Sequence, residues 1–187
     1  MTQEYFPKYA FIDSQNLECH FIQNHNKYIG FRGFYNYLTQ NRKVQKDKCF
    51  VFIKVTTHPN RIKAFKDIGY QVVLCDCKNE KGSFNIDTDL VITSVEEFFE
   101  VGERHDLLLV SGDGDFLPLV KFYEDYGYYT EIIGTSRKST SEGNPFTSRK
   151  LTHTVDECGD KIIRKNTTYY DELSDLQPSL LTPTIRF

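Results

Sequence analysis

The apolar run Leu107-Leu108-Leu109-Val110 breaks abruptly into Ser111-Gly112-Asp113-Gly114-Asp115-Phe116, then into a helical pattern carried by Phe116, Leu119, Val120 and Tyr123. A short apolar run followed by glycines at helix onset predicts a buried strand, a turn and a helix in succession. Asp115 is expected to cap the helix. Pro118 is tolerated in its first turn because the first backbone N–H groups have no partner inside a helix. In open α/β sheets ligands bind in the crevice outside the carboxyl ends of strands, so two close carboxylates there point to a cation site. Taken alone, Asp113 and Asp115 read equally well as a turn and a cap.

The same event occurs at the start of the chain. Tyr9-Ala10-Phe11-Ile12 ends in Asp13-Ser14-Gln15-Asn16 before Leu17, Phe21 and Ile22 take up a helical face. Two strands thus end in aspartate. A third acidic stretch, Asn85-Ile86-Asp87-Thr88-Asp89-Leu90, opens a helix carrying Leu90, Val91, Val95, Phe98 and Phe99. At about 100° per residue, Asp87 falls within the arc of Leu90, Val91, Val95 and Phe98, and Asp89 on the opposite side. The expectation is an inward Asp87, costly unless paired, hydrogen-bonded or bound to metal, and a solvated Asp89 favoured by the helix dipole. A helix cap is the other reading of Asp87.

With 187 residues, 39% of them hydrophobic, the chain can bury a core rich in Phe and Tyr. No apolar stretch approaches a membrane span, and Met1-Thr2-Gln3-Glu4 has neither the basic nor the apolar region of a signal peptide. The expected location is cytoplasmic, without membrane association. Five scattered cysteines, Cys19, Cys49, Cys75, Cys77 and Cys158, argue for reduced thiols. Cys75-Asp76-Cys77 lacks a second Cys/His pair at zinc-finger spacing and reads as a strand end. A net charge of −3 does not announce a nucleic-acid partner. It excludes none either, because catalytic acids subtract from the total and phosphate responds to the local distribution. Lys81, just before Asp87, and Arg137 stand in loops after strands, where a cation can hold a phosphate chain.

Strands are predicted at about 8–13, 48–56, 70–76, 105–111 and 128–134, and helices at about 14–24, 31–41, 59–68, 86–101 and 115–126. Such alternation implies right-handed crossovers and a mainly parallel sheet covered on both faces, a three-layer α/β/α domain. Residues 135–150 read as a polar loop. Order resumes over 151–163, and the tail 166–187 is either a packed arm or disordered. Residues 1–165 are expected to form one domain.

The blocks Phe11-Ile12-Asp13-Ser14-Gln15-Asn16-Leu17, Asn85-Ile86-Asp87-Thr88-Asp89-Leu90 and Leu109-Val110-Ser111-Gly112-Asp113-Gly114-Asp115-Phe116-Leu117-Pro118-Leu119-Val120 together resemble the NYN domain, in its LabA-like branch, of the PIN-like nuclease superfamily. The resemblance implies a mainly parallel five-stranded sheet of order 3-2-1-4-5. In that order the first and fourth strands flank the point where the chain reverses direction. It further implies a ribonuclease that uses Mg2+ or Mn2+ to hydrolyse RNA, most readily single-stranded RNA, through Asp13, Asp87, Asp113 and Asp115. Asn16 and Ser111 become polar neighbours able to orient a water or a phosphate, with Lys81 and Arg137 on the substrate side. Oxygen-only ligands suit Mg2+.

Two positions depart from the family pattern. Ser14 stands where many relatives carry glycine, and Thr93 where many carry another helix aspartate. Loss of that acid leaves Asp89 as a substitute or weakens metal binding, and in the extreme leaves a module that binds RNA without cutting it. A dehalogenase-like phosphatase fits poorly because Ser14-Gln15 follows Asp13. A nucleotide-sugar transferase leaves Asp13 and Asp87 without a role. The sequence leaves homo-oligomerisation open.

Overall fold

Every apolar run read as a strand lies in one sheet. The computed structural model describes residues 6–25, 28–76, 85–100, 104–134, 151, 153–155, 161–163, 167–170 and 181–182. The polar segment 135–150 lies outside them, as do Lys81, Arg137, Cys77 and Cys158. In chain order the elements begin β1 (Lys8–Asp13), α1 (Ser14–His25), β2 (Tyr28–Ile29), α2 (Phe31–Gln40), β3 (Val44–Lys54), α3 (Pro59–Ile68) and β4 (Gln71–Cys75). They continue with α4 (Ile86–Glu100), β5 (Asp106–Val110), a 3-10 turn (Gly114–Phe116), α5 (Leu117–Asp125), β6 (Thr130–Ile133), β7 (His153–Val155), β8 (Lys161–Ile163), β9 (Thr167–Tyr170) and β10 (Leu181–Thr182).

The sheet runs β4-β3-β1-β5-β6-β9. Its pairings are all parallel. Counting only the five strands expected from the apolar runs, the order is 3-2-1-4-5, as the resemblance implies. The sixth strand, β9, comes from the segment set apart as a tail and pairs Thr130 with Thr167 through Ile133 with Tyr170. Two small antiparallel pairs, β7 with β8 and β10 with β2, complete the described strands. The β1–β3 ladder is interrupted: Lys8 pairs with Val44 but Ala10 with Cys49. The charged stretch Lys46-Asp47-Lys48 is taken up there, which is why β3 starts earlier than its apolar pattern implied.

Strand alternation sends successive side chains to opposite faces. Ala10, Ile12, Val51, Ile53, Leu108 and Val110 pack against Leu17, Phe34, Leu38 and Phe65. On the other face Tyr9, Phe11, Phe52, Leu107 and Leu109 pack against Leu90, Phe116, Leu119 and Tyr123. Helices α1–α3 therefore cover one side and α4 and α5 the other. Gly69 ends α3 with φ of 121°, and a Cβ there would stand 2.7 Å from the Tyr35 hydroxyl oxygen, so glycine is required on both counts.

At the amino ends of the strands a buried polar cluster ties the second face together. His105 is fully buried and stacks on the Tyr9 ring at 3.9 Å. Its Nε2 lies 2.9 Å from the Tyr123 hydroxyl, which also meets the Ser94 hydroxyl at 3.3 Å. Ser94 is thus a buried position of α4, together with Ile86 and Leu90.

Candidate functional site

Asp13 is the last residue of β1 and follows Tyr9 and Phe11 in alternation, so its carboxylate points to the α4/α5 side at the carboxyl end of the sheet. Only 4% of it is exposed. Two donors hold it: the Asn16 N–H donates to Oδ1 at 2.9 Å, and the Ser111 hydroxyl donates to Oδ2 at 3.3 Å. These contacts do not offset its isolation from water. Burial pushes its pKa up from 3.8 to about 6, helped by the charges of Asp87 and Asp113 and opposed by the Asn16 and Ser111 hydrogen bonds.

The partner strand delivers the other acids. β1 and β5 are adjacent and parallel, their last pair being Ile12 with Val110. Beyond it, the Asp113 N–H donates to the Ser111 hydroxyl at 3.2 Å, and the Asp115 N–H to Asp113 Oδ1 at 3.0 Å. The cap is therefore Asp113, not Asp115 as expected. Gly114-Asp115-Phe116 tightens into a 3-10 turn ahead of α5, which moves the first unsatisfied N–H groups one step toward Asp113. Asp115 is left exposed. Asp87, half-buried in the first turn of α4, has its pKa raised by burial first and then by Asp113 and Asp115. Asp13, Asp87, Asp113 and Asp115 thus share one electrostatic field where β1 and β5 meet the start of α4.

Asp89 departs from expectation. It is half-buried and hydrogen-bonds the Cys75 thiol at the end of β4, a contact that raises the Cys75 pKa beyond the effect of burial. The fully buried stripe of α4 is Ile86, Leu90 and Ser94, with Val91, Val95 and Phe98 of the expected arc packed beside it on the same core, partly buried. On this stripe Asp87 and Thr93 lie about 60° to either side of its centre, and Asp89 follows Thr93 on the β4 side. The missing signal was Ser94, a polar residue whose burial depends on Tyr123.

The family model of the NYN domain matches residues 9–158. This chain belongs to the NYN domain family. NYN domains fall within the PIN-like nuclease superfamily, and the sheet order of this one agrees with that fold. VPA0982, a Vibrio parahaemolyticus RIMD 2210633 protein of unknown function, has a crystal structure similar to this NYN domain at a TM-score of 0.65. The two are 20% identical, with 97% of this chain and 100% of that chain covered, so the likeness concerns the fold alone. No curated protein matches the chain significantly.

Among the described residues no three His, Cys, Asp or Glu side chains converge enough to enclose an ion by themselves. No described helix is long and apolar enough to cross a membrane. The acids of this NYN domain nevertheless suit an oxygen-seeking divalent cation. Mg2+ keeps several of its waters and is usually held by one or two carboxylates together with substrate phosphate. A carboxylate raised first by burial and then by its neighbours' charge is one that a cation would favour in its ionised form.

Proposed function

We propose that this NYN domain is a divalent-metal-dependent ribonuclease that cuts single-stranded RNA at the carboxylates gathered beside β1 and β5. The observation that carries this reading is Asp13: a carboxylate 4% exposed, held in one orientation by two donors and crowded by two further acids. A structural turn or cap has no need of such a costly arrangement. When bound, Mg2+ or Mn2+ would neutralise phosphate charge and promote attack by water.

The residues of the chain supply position. Asp13, with Asp87 or Asp113, would hold the cation. Asp115, exposed one residue beyond Gly114, would add its charge to the acidic edge of the crevice. Cations in the loops after the strands, with Lys81 and Arg137 as candidates, would grip the RNA backbone. Neutralising either should weaken RNA binding and lower the slope of affinity against salt by about one counterion.

A non-catalytic RNA-binding module is the second reading, and a specific feature favours it: Thr93 stands where many relatives carry an acid. Labelled RNA incubated with wild type, Asp113→Asn and Thr93→Asp, in Mg2+, Mn2+ and EDTA, separates the two. The nuclease reading expects metal-dependent cutting by the wild type, its loss in Asp113→Asn with RNA binding largely kept, and equal or greater cutting by Thr93→Asp. Binding without cleavage by all three supports the module. Cutting that survives EDTA or Asp113→Asn overturns the mechanism.

A further inference from the structure

The ladder between β1 and β5 stops at Ile12 and Val110, yet the acids lie beyond it on chains that diverge into α1 and into the loop 111–113. What spans the gap is a pair of hydrogen bonds. Besides the Ser111 hydroxyl on Asp13, the buried Gly112 N–H donates to the side-chain oxygen of Asn16 at 3.0 Å, across 96 residues of sequence. Asn16 therefore works in both directions. Its backbone donates to Asp13, and its side chain receives the loop that carries Asp113 and Asp115. A buried N–H without a partner is costly, so Gly112 holds its place only while Asn16 does.

We propose that Asn16 is a positioning residue: its amide oxygen clips the Gly112 loop to the start of α1 and so sets the spacing between Asp13 and Asp113, rather than touching the RNA phosphate. This assignment rests on the carboxylates being the working site. The choice of amide over carboxylate follows from the surroundings. An aspartate would accept the same hydrogen bond but place a further negative charge beside Asp13, where Asp87 and Asp113 already crowd it. A neutral acceptor secures the loop without that repulsion. Ser111 serves the same brace from the other strand, donating to Asp13 and accepting from Asp113.

The test compares Asn16→Ala with Asn16→Asp in the full chain. Three quantities are read: amide hydrogen exchange at Gly112 by NMR, Mn2+ affinity by calorimetry, and kcat and KM on single-stranded RNA. Asn16→Ala should speed Gly112 exchange about tenfold or more. It should also weaken Mn2+ binding about 10- to 100-fold, as loss of groups that orient metal ligands does, and lower kcat with KM nearly unchanged. Asn16→Asp, which keeps the acceptor, should retain Gly112 protection and lose less than Asn16→Ala. A phosphate contact predicts the reverse ranking, with KM raised, kcat kept and Asn16→Asp the worse variant, and would overturn the proposal. Unchanged Gly112 exchange in Asn16→Ala would also overturn it, as would faster exchange with wild-type Mn2+ affinity. If the wild type binds Mn2+ but cuts no RNA, the nuclease reading fails, while exchange and Mn2+ affinity still decide the role of Asn16. If it binds no Mn2+, the working-site assumption fails and the proposal fails with it.

Discussion

Replacing Asp13 by asparagine should make the metal-free protein more stable at neutral pH, although it removes the centre of the proposed site. The carboxyl has its pKa raised from 3.8 to about 6 in the folded chain. Its native form therefore binds a proton more tightly than its unfolded form, and folding carries a penalty once the group must ionise. That penalty is absent well below pH 4, grows as pH rises from about 4 to 6, and is complete above, where it amounts to about 3 kcal/mol. Asparagine keeps an oxygen for the Asn16 N–H but turns an amide donor toward Ser111, whose hydroxyl must reverse. A net gain of about 1 to 3 kcal/mol then raises Tm by roughly 3 to 10 °C in a chain of this size. Thermal melts of wild type and Asp13→Asn in EDTA should show this gain at about pH 7.5 and an advantage smaller by about 2 kcal/mol near pH 4.5, where only about a third of the penalty has developed. Excess Mn2+ should raise the wild type and leave the variant nearly unmoved. A variant that melts at or below the wild type at neutral pH, or an advantage independent of pH, would refute the reasoning.

Two other predictions concern groups that take no part in the proposed chemistry. Tyr123→Phe removes the hydroxyl shared by His105 and Ser94 and should cost about 1 to 3 kcal/mol, read as a lower Tm, with metal binding unaltered because the cluster lies at the amino ends of the strands. Burial pushes the Cys49 thiol up to about 12 and the Cys75 thiol up as well, aided by Asp89, while Cys19 is exposed. Brief iodoacetamide treatment of the folded protein near neutral pH, followed by peptide mass analysis, should therefore modify Cys19 and spare Cys49 and Cys75.

Much of the sheet was legible because its strands are buried on both faces and so appear as unbroken apolar runs. The strand order could be placed only through the family resemblance. Strands that satisfy weaker demands left no such trace. β9 is Thr167-Thr168-Tyr169-Tyr170, a hydroxyl-rich edge strand between Asn166 and Asp171, and β2 and β10 have two residues each. Asp13 was legible from its place after an apolar run, and Asp87 from helical phase. Asp89 was misread because phase alone cannot register a serine buried by a tyrosine 29 residues away. Likewise, the partners of Asn16 and Ser111 depend on contacts between distant segments, which no local pattern encodes.

The most direct measurement is anomalous diffraction from crystals soaked in Mn2+, collected on wild type and on Asp13→Asn. The account predicts a Mn2+ peak against the Asp13 carboxylate, between β1 and β5 and shared with Asp87 or Asp113, that disappears in the variant. A saturating soak that leaves this crevice without a peak, or a peak that persists in Asp13→Asn, would contradict it.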